Sequence, residues 1–257
     1  MILRRVIKHF SNQEWTAIFL DFLIVVVGVF VGLQVNNWNE AQESKRTARE
    51  YIVRIQEDLL ANQKDMKRRV EYFGWVKNHA LGAMAALEHP PEELGEQFII
   101  DAYQASQSLP RRVGRDTYDE LLSVGGINTI RGLMVRQRLA QYYRAMYTLE
   151  GIFMKIPSYR EALRRSMPYE AQSVFRAEGC ANKFGTDKTG APVITVSKKC
   201  DLGLTQEQTS AIVARLIKAE LESDLIRVLS DIDLKIQLFQ VQSNRAGDLN
   251  TFLEESK

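Results

Sequence analysis

The chain is poor in the residues that most often carry chemistry. It contains 2 cysteines and 3 histidines in 257 residues. His9, His79 and His89 have no partners at the spacing of a catalytic or metal-binding motif. No G-x-S-x-G, H-E-x-x-H, P-loop or G-x-G-x-x-G pattern occurs either. We therefore predict that the protein is not an enzyme and that it binds no cofactor and no metal.

The chain also lacks an excess of charge of one sign. It has 34 Lys and Arg residues against 32 Asp and Glu residues, a net charge of +2. Nucleic-acid-binding domains are typically strongly basic, so no nucleic-acid partner is predicted. One basic cluster, RRVGR at 111–115 with Arg131, Arg136 and Arg138, has two interpretations. In the first, the cluster binds anionic lipid or nucleic acid. In the second, it forms a solvated face or a face of paired charges, and the balanced charge of the chain favours this second interpretation.

One long hydrophobic run stands out near the start of the chain. Ala17 to Val35 contains only two strongly polar side chains, Asp21 and Gln34. A helix of this length rises about 28 Å, which nearly matches the hydrocarbon core of a bilayer at roughly 30 Å. The stretch Leu23 to Val31 is apolar on every face, whereas a helix on a soluble core shows a polar stripe. We predict a transmembrane helix over 17–37, the alternative being a core helix of a soluble domain.

Tryptophans flank this run on both sides. Trp15 and Trp38 would lie about 35 Å apart along one helix, close to the two headgroup layers where amphipathic aromatic rings concentrate. We therefore predict that both are interfacial anchors. No small-residue cleavage site follows the apolar run, which indicates an uncleaved signal anchor.

A stripe of small and acidic residues runs along the predicted span. Asp21, Val25, Gly28 and Gly32 fall on one helical face, and the two glycines form a G-x-x-x-G pair. Small residues let two helices approach closely, and an acid in hydrocarbon requires a partner, so this face is predicted to contact another membrane helix. In the alternative, the glycines face lipid and the Asp21 carboxylate reaches the interface.

Basic residues occur on both sides of the span, so charge does not determine which way the helix crosses the membrane. The two cysteines are therefore used to predict the orientation. Cys180 and Cys200 bracket a polar loop at 177–204 that has no spacing suited to zinc. A disulfide there indicates an oxidising compartment, the alternative being two free thiols. We thus predict a single-pass membrane protein with a cytoplasmic segment 1–16 and an extracytoplasmic domain 38–257.

Helical periodicity covers most of the chain beyond Trp38. Neither glycine nor proline occurs between Leu33 and Tyr72, so the span is predicted to continue into a long stalk helix that EHPPEELGEQ ends. A short helix capped by Asp116 or Thr117 follows, then a glycine turn and a helix from an Asn128 cap to about Met167. The last helix opens with a Thr205–Gln208 capping box.

The predicted fold class is all-α, an antiparallel bundle outside the membrane with a Cys-bracketed loop. Residues 131–165 are rich in Lys and Arg, and residues 205–257 are rich in Asp and Glu. The complementary charge predicts that these two helical segments lie side by side.

Two sequence boxes resemble one known family. VVGVFVGLQVNNWNE at 26–40 is similar to the I-G-I-L-I-A-L-Q-I-N-N-W-N-E box of bacterial membrane-anchored helical proteins of unknown function. TYDELLSVGGINTIRG at 117–132, with LAQYY at 139–143, is similar to that family's second box. The Cys-bracketed loop is not a recognised family feature. The resemblance implies an inner-membrane anchor and a helical domain, but no activity.

Two functions agree with these features. In the first, the protein is a scaffold or accessory subunit that binds membrane lipids and other inner-membrane chains by helix packing. In the second, the extracytoplasmic bundle senses a ligand and signals through a partner.

Overall fold

The first helix joins the apolar run to the body of the protein without a break. The computed structural model describes residues 15–176, 180–188, 192–197 and 199–256, with side chains from residue 19 onward. Helix α1 spans Trp15–Ala86, 72 residues, which is about 108 Å of continuous helix. The predicted continuation of the span into a stalk is therefore confirmed. Most of the predicted cytoplasmic segment 1–16 lies outside the described residues.

Packing begins only in the second half of α1. All side chains from Phe19 to Glu43 are exposed, and Ala48 is the first buried one. From there Ile55, Leu59 and Met66 enter the core at helical spacing. The body of the protein is thus built around the C-terminal half of one long helix.

A second helix folds back against α1 after a proline turn. The chain leaves α1 at Ala86, forms a 3₁₀ turn over Pro91–Glu93 and enters helix α2 at Glu96–Ala105. All α2 residues from Phe98 to its end are buried. This helix was not predicted, because it has only ten residues and directly follows a segment of prolines and glycine that indicates a loop.

The predicted helix, turn, helix corner is present, with different caps. Helix α3 spans Asp116–Ser123, a 3₁₀ turn spans Gly126–Thr129, and helix α4 spans Leu133–Met154. Gly125 and Gly132 have φ of 68° and 87°, a conformation that favours glycine, so Gly125 ends α3 as predicted.

Both predicted caps of the corner are wrong. Arg115 stands at the cap of α3 with no side-chain cap hydrogen bond, and its guanidinium instead bonds Asp119 one turn later. Asn128 lies inside the 3₁₀ turn, and Gly132 precedes α4. Leu133 and Met134, expected on the buried stripe of α4, are exposed at the corner.

Prolines divide the segment after the corner. Helix α4 ends at Met154, well before Met167, because Pro157 lacks an amide donor. Helices α5 at Ser158–Ser166 and α6 at Tyr169–Val174 each begin directly after a proline.

The cysteine loop corrects the predicted all-α class. Strands β1 at Lys183–Thr186 and β2 at Pro192–Thr195 form an antiparallel hairpin inside it. Cys180 and Cys200 form the predicted disulfide. Residues 177–179, 189–191 and 198 of the loop lie outside the described residues. The protein is therefore mostly helical with one small two-stranded sheet.

The last segment forms two helices instead of one. Helix α7 spans Gln206–Lys218 behind the predicted Thr205–Gln208 capping box, which is confirmed. Glu220, at φ 50°, turns the chain into helix α8 at Glu222–Glu255.

Helix α8 runs antiparallel along the stalk part of α1. Lys77 bonds Asp233 at 2.6 Å near one end of the contact, and Ser243 bonds the Gln63 carbonyl at 3.4 Å further along. Helix α4 lies beside α8, as its opposite charge predicted, with Lys155 2.9 Å from Asp231.

Candidate functional site

The predicted membrane face has no covering element in the described part of the chain. Phe19 begins a helical stretch whose most apolar 18-residue window has a mean hydropathy of 2.1 and no buried residue. By length and composition this helix can cross a membrane. Since none of the window is buried, the segment is not a core helix of the described bundle.

The four predicted contact residues do share one strip of this bare helix. Asp21, Val25, Gly28 and Gly32 are all exposed, and no atom lies within 4 Å of a Cβ built on either glycine. Room for close approach of a second helix is therefore present. Trp38 is 62% exposed at the predicted interface, whereas the side chain of Trp15 lies outside the described side chains.

Five of the six arginines in the basic cluster contact a partner group among the described residues. Arg111 pairs with Asp65, Arg112 lies 2.6 Å from Glu150, and Arg115 lies 2.7 Å from Asp119. Further along the chain Arg136 donates to the Ile130 carbonyl at 2.8 Å, and Arg138 lies over the Phe252 ring at 3.9 Å. These contacts confirm the paired interpretation for the five arginines.

Arg69 is a buried cation that joins the stalk to the loop before α3. It is 0% exposed, and its Nε donates to Asp65 at 2.8 Å. Its terminal nitrogens donate to the carbonyls of Arg111 at 2.7 Å and Arg112 at 3.0 Å. Burial lowers the pKa of Arg69, while the Asp65 carboxylate opposes that shift. Its three hydrogen bonds, one from each nitrogen, identify a structural clamp.

A histidine and an aspartate form a partly buried pair between α1 and α2. His79 Nδ1 lies 2.6 Å from Asp101 Oδ1, and Gln97 donates to the same oxygen at 3.0 Å. Gly82 permits this approach, because an added Cβ would lie 2.8 Å from the Asp101 carboxylate. The sequence showed no motif partner for His79, and the structure supplies Asp101 from 22 positions away. The partner comes from α2, the helix that the sequence did not reveal.

His79 borders a cavity of about 570 Å³. Trp75 and Gln104 line it from the helices, and Lys199 and Asp201 line it from the cysteine loop. Gln104 donates to the Cys180 carbonyl at 3.2 Å, so the disulfide loop is held against this cavity. We refer to it below as the His79 cavity.

The imidazole of His79 has a defined orientation in this cavity. When the Nδ1–H of a neutral imidazole donates to a carboxylate, the other ring nitrogen, Nε2, is left as a hydrogen-bond acceptor. The Trp75 ring meets the imidazole edge-on, with centroids 4.6 Å apart. The arrangement suits binding of a small polar ligand, with one aromatic face and groups of both charges available.

Four buried tyrosines make the free energy of unfolding depend on pH in the alkaline range. Burial raises the pKa of Tyr72 to about 12, and it also raises the pKa of Tyr142, Tyr143 and Tyr159. In the unfolded chain the tyrosine pKa is about 10, so the unfolded state loses these protons first. The free energy of unfolding is therefore unaffected by these tyrosines below about pH 10. It falls as the pH rises from about 10 to 12.

We expect these four phenols to ionise together with unfolding, which tyrosinate absorbance and circular dichroism measure in one titration. Tyr143→Phe removes an ionisable group that has no hydrogen-bond partner and should shift alkaline unfolding to higher pH. Tyr147→Phe, at a 68% exposed position, is the matched control. Ionisation of all the tyrosines near pH 10 without unfolding would contradict the prediction.

No group of three or more His, Cys, Asp or Glu side chains within the described ranges is placed to hold a metal ion. Comparison with protein-family models, curated proteins and solved structures finds no match to this chain. The resemblance of the two sequence boxes to a membrane-anchored family therefore stays a prediction.

Proposed function

We propose that the protein is a non-catalytic, membrane-anchored scaffold or accessory subunit of an inner-membrane protein complex. One observation carries the proposal: a single continuous helix, α1, has a bare apolar stretch at Phe19–Val35 and a C-terminal part that forms the spine of the bundle. Such a helix fixes the position of a folded body relative to the membrane. The single-pass anchor would bring that body to other membrane chains.

The proposed topology has three parts. Residues 1–16 are cytoplasmic, residues 17–37 span the inner membrane of a bacterium, and residues 38–257 form the periplasmic domain. The disulfide supports an oxidising location for the domain, since cytosolic thiols are normally kept reduced. Extraction with alkaline carbonate should leave the chain in the membrane pellet, and its release would contradict the anchor.

The strip of Asp21, Val25, Gly28 and Gly32 is the proposed contact with neighbouring membrane helices. In hydrocarbon, helix association depends on close van der Waals packing and interhelical hydrogen bonds, which small residues permit. A carboxylate close to hydrocarbon gains from a polar partner on the neighbouring helix. Partners include lipids and either a second copy or a larger complex.

We predict that Gly28→Leu with Gly32→Leu disrupts this contact. Two leucines would hold a neighbouring backbone away from the helix. They should weaken the association free energy by at least about 1 kcal/mol, which corresponds to roughly a fivefold lower affinity for the partner. The measurement is cross-linking in native membranes followed by affinity purification and mass spectrometry. Val26→Leu with Phe30→Leu changes the opposite face and should retain the partners. Equal recovery from both double variants would contradict the contact.

The His79 cavity favours a second candidate function, an extracytoplasmic ligand sensor that signals through a partner. Its volume of about 570 Å³ and its oriented imidazole suit a small polar molecule. We expect such a molecule to raise the melting temperature of the full chain, and His79→Leu to abolish that rise. A screen in which no small molecule changes the melting temperature would favour the accessory role.

A further inference from the structure

The end of the bundle nearest the span contains a groove. Antiparallel packing brings three elements together there: the start of the packed part of α1, the turn between α3 and α4, and the last turn of α8. The groove has a volume of about 600 Å³. We call it the basal groove.

Apolar side chains form its floor. Ala48 and Ile52 contribute from α1, Ile130 and Val135 from the corner and α4, and Leu253 from α8. Val53, 48% exposed, lies at its edge. A surface of this kind gains free energy when an aliphatic chain covers it.

Three cations line the same groove. Lys45 and Arg49 stand one turn apart on α1, and Arg131 faces them from the corner. None of the three has an ion pair among the described residues, in contrast to the paired arginines 111, 112 and 115. No carboxylate belongs to the lining of this groove. An apolar floor with an unpaired cationic rim is complementary to an anionic amphiphile.

The height of the groove above the membrane determines which amphiphile it suits. Lys45 follows Trp38 by seven residues, a rise of about 10 Å, so the groove begins outside the headgroup layer. A two-chain lipid would have to leave the leaflet to place an acyl chain there. A single acyl chain binds membranes only marginally and reversibly, so it exchanges readily with a site close by.

We propose that the basal groove binds a single-chain anionic amphiphile of the fatty-acid class. The carboxylate lies between Lys45, Arg49 and Arg131, and the acyl chain covers the floor. The site is separate from the predicted helix contact in the span and from the His79 cavity.

The test uses the full chain in phosphatidylcholine nanodiscs and a photoactivatable fatty acid. After illumination, mass spectrometry should find saturable labelling of groove peptides around Ile52, Ile130 and Leu253. Oleate should compete for this labelling, whereas oleyl alcohol, which lacks the charge, and acetate, which lacks the chain, should not.

Variants separate the head and chain contributions. Lys45→Gln, Arg49→Gln and Arg131→Gln together should raise the half-saturating probe concentration about 100-fold, at about fivefold for each charge. The matched control is a triple glutamine variant of exposed basic residues far along the bundle, Lys64, Lys67 and Arg245. Val53→Asp, at an exposed position, should weaken labelling without affecting the near-ultraviolet circular dichroism.

Four results would overturn the proposal. Labelling confined to the span would show only partition into the bilayer. Equal competition by oleyl alcohol, or an equal loss in the control triple variant, would remove the role of the three cations. Displacement of the probe by phosphatidylglycerol as effectively as by oleate would assign the groove to a two-chain membrane lipid.

Discussion

Replacing Arg69 with leucine is expected to lower the free energy of unfolding by about 3–5 kcal/mol. The guanidinium is 0% exposed and donates to the Asp65 carboxylate and to the carbonyls of Arg111 and Arg112. Leucine removes those donors and leaves a carboxylate and two carbonyls short of partners in the interior. It also removes a cation 5.3 Å from the centre of the buried Phe239 ring.

Chemical denaturation of the full chain in detergent, followed by circular dichroism, measures this loss. Arg46→Leu is the matched control, because the Arg46–Glu50 pair is largely exposed on the same helix. That control should leave the denaturation midpoint unchanged. An unchanged midpoint for Arg69→Leu would mean that the clamp does not hold the 106–115 segment on α1.

Removing the disulfide is expected to have the next largest effect. Cys180 and Cys200 are 20 positions apart, and closing a loop of this size is worth about 3 kcal/mol in the chain-entropy model. Reduction should therefore lower the free energy of unfolding by about that amount. The loop also touches the His79 cavity through the Gln104–Cys180 hydrogen bond, so the cavity should loosen with it.

Denaturation with and without a reductant measures the effect, and the Cys180→Ser/Cys200→Ser double variant provides the control. The reduced wild type and the double variant, with or without reductant, should share one denaturation midpoint. Their free energy of unfolding should be about 3 kcal/mol below that of the oxidised wild type. A midpoint that reductant does not change would contradict the prediction. Loss of ligand binding at the His79 cavity on reduction would connect the disulfide to the sensor function.

The elements that the sequence predicts correctly have local causes. The apolar run, the absence of glycine and proline after Leu33, and the capping box at Thr205 each act within a few residues. Helix α1, the glycine stop at Gly125 and the start of α7 follow from them. The disulfide also followed from local composition, because the chain contains only one possible pair of cysteines.

The elements that the sequence does not predict depend on burial among distant segments. Helix α2 has only ten residues and follows a segment of prolines and glycine, so its periodicity is too short to distinguish it from a loop. The hairpin β1–β2 has four-residue strands with no clear alternation in their burial. Its position inside a loop closed by a disulfide is a property of the folded chain.

The candidate sites show the same division. Asp101 lies between Ile100 and Ala102, and nothing near it in the sequence indicates that it faces His79. The pair forms because the proline turn after Ala86 folds α2 back on α1 and because Gly82 leaves room for the carboxylate. The Arg69 clamp likewise joins residues more than 40 positions apart.

By itself the sequence determined the long apolar helix, the stalk that continues it and the cysteine pair, because hydrophobic length and helical period act along the chain. Only the tertiary structure decided the His79 cavity, the buried Arg69 and the basal groove. Those features depend on which surfaces of separate helices meet, and the pattern along any one helix does not contain that information.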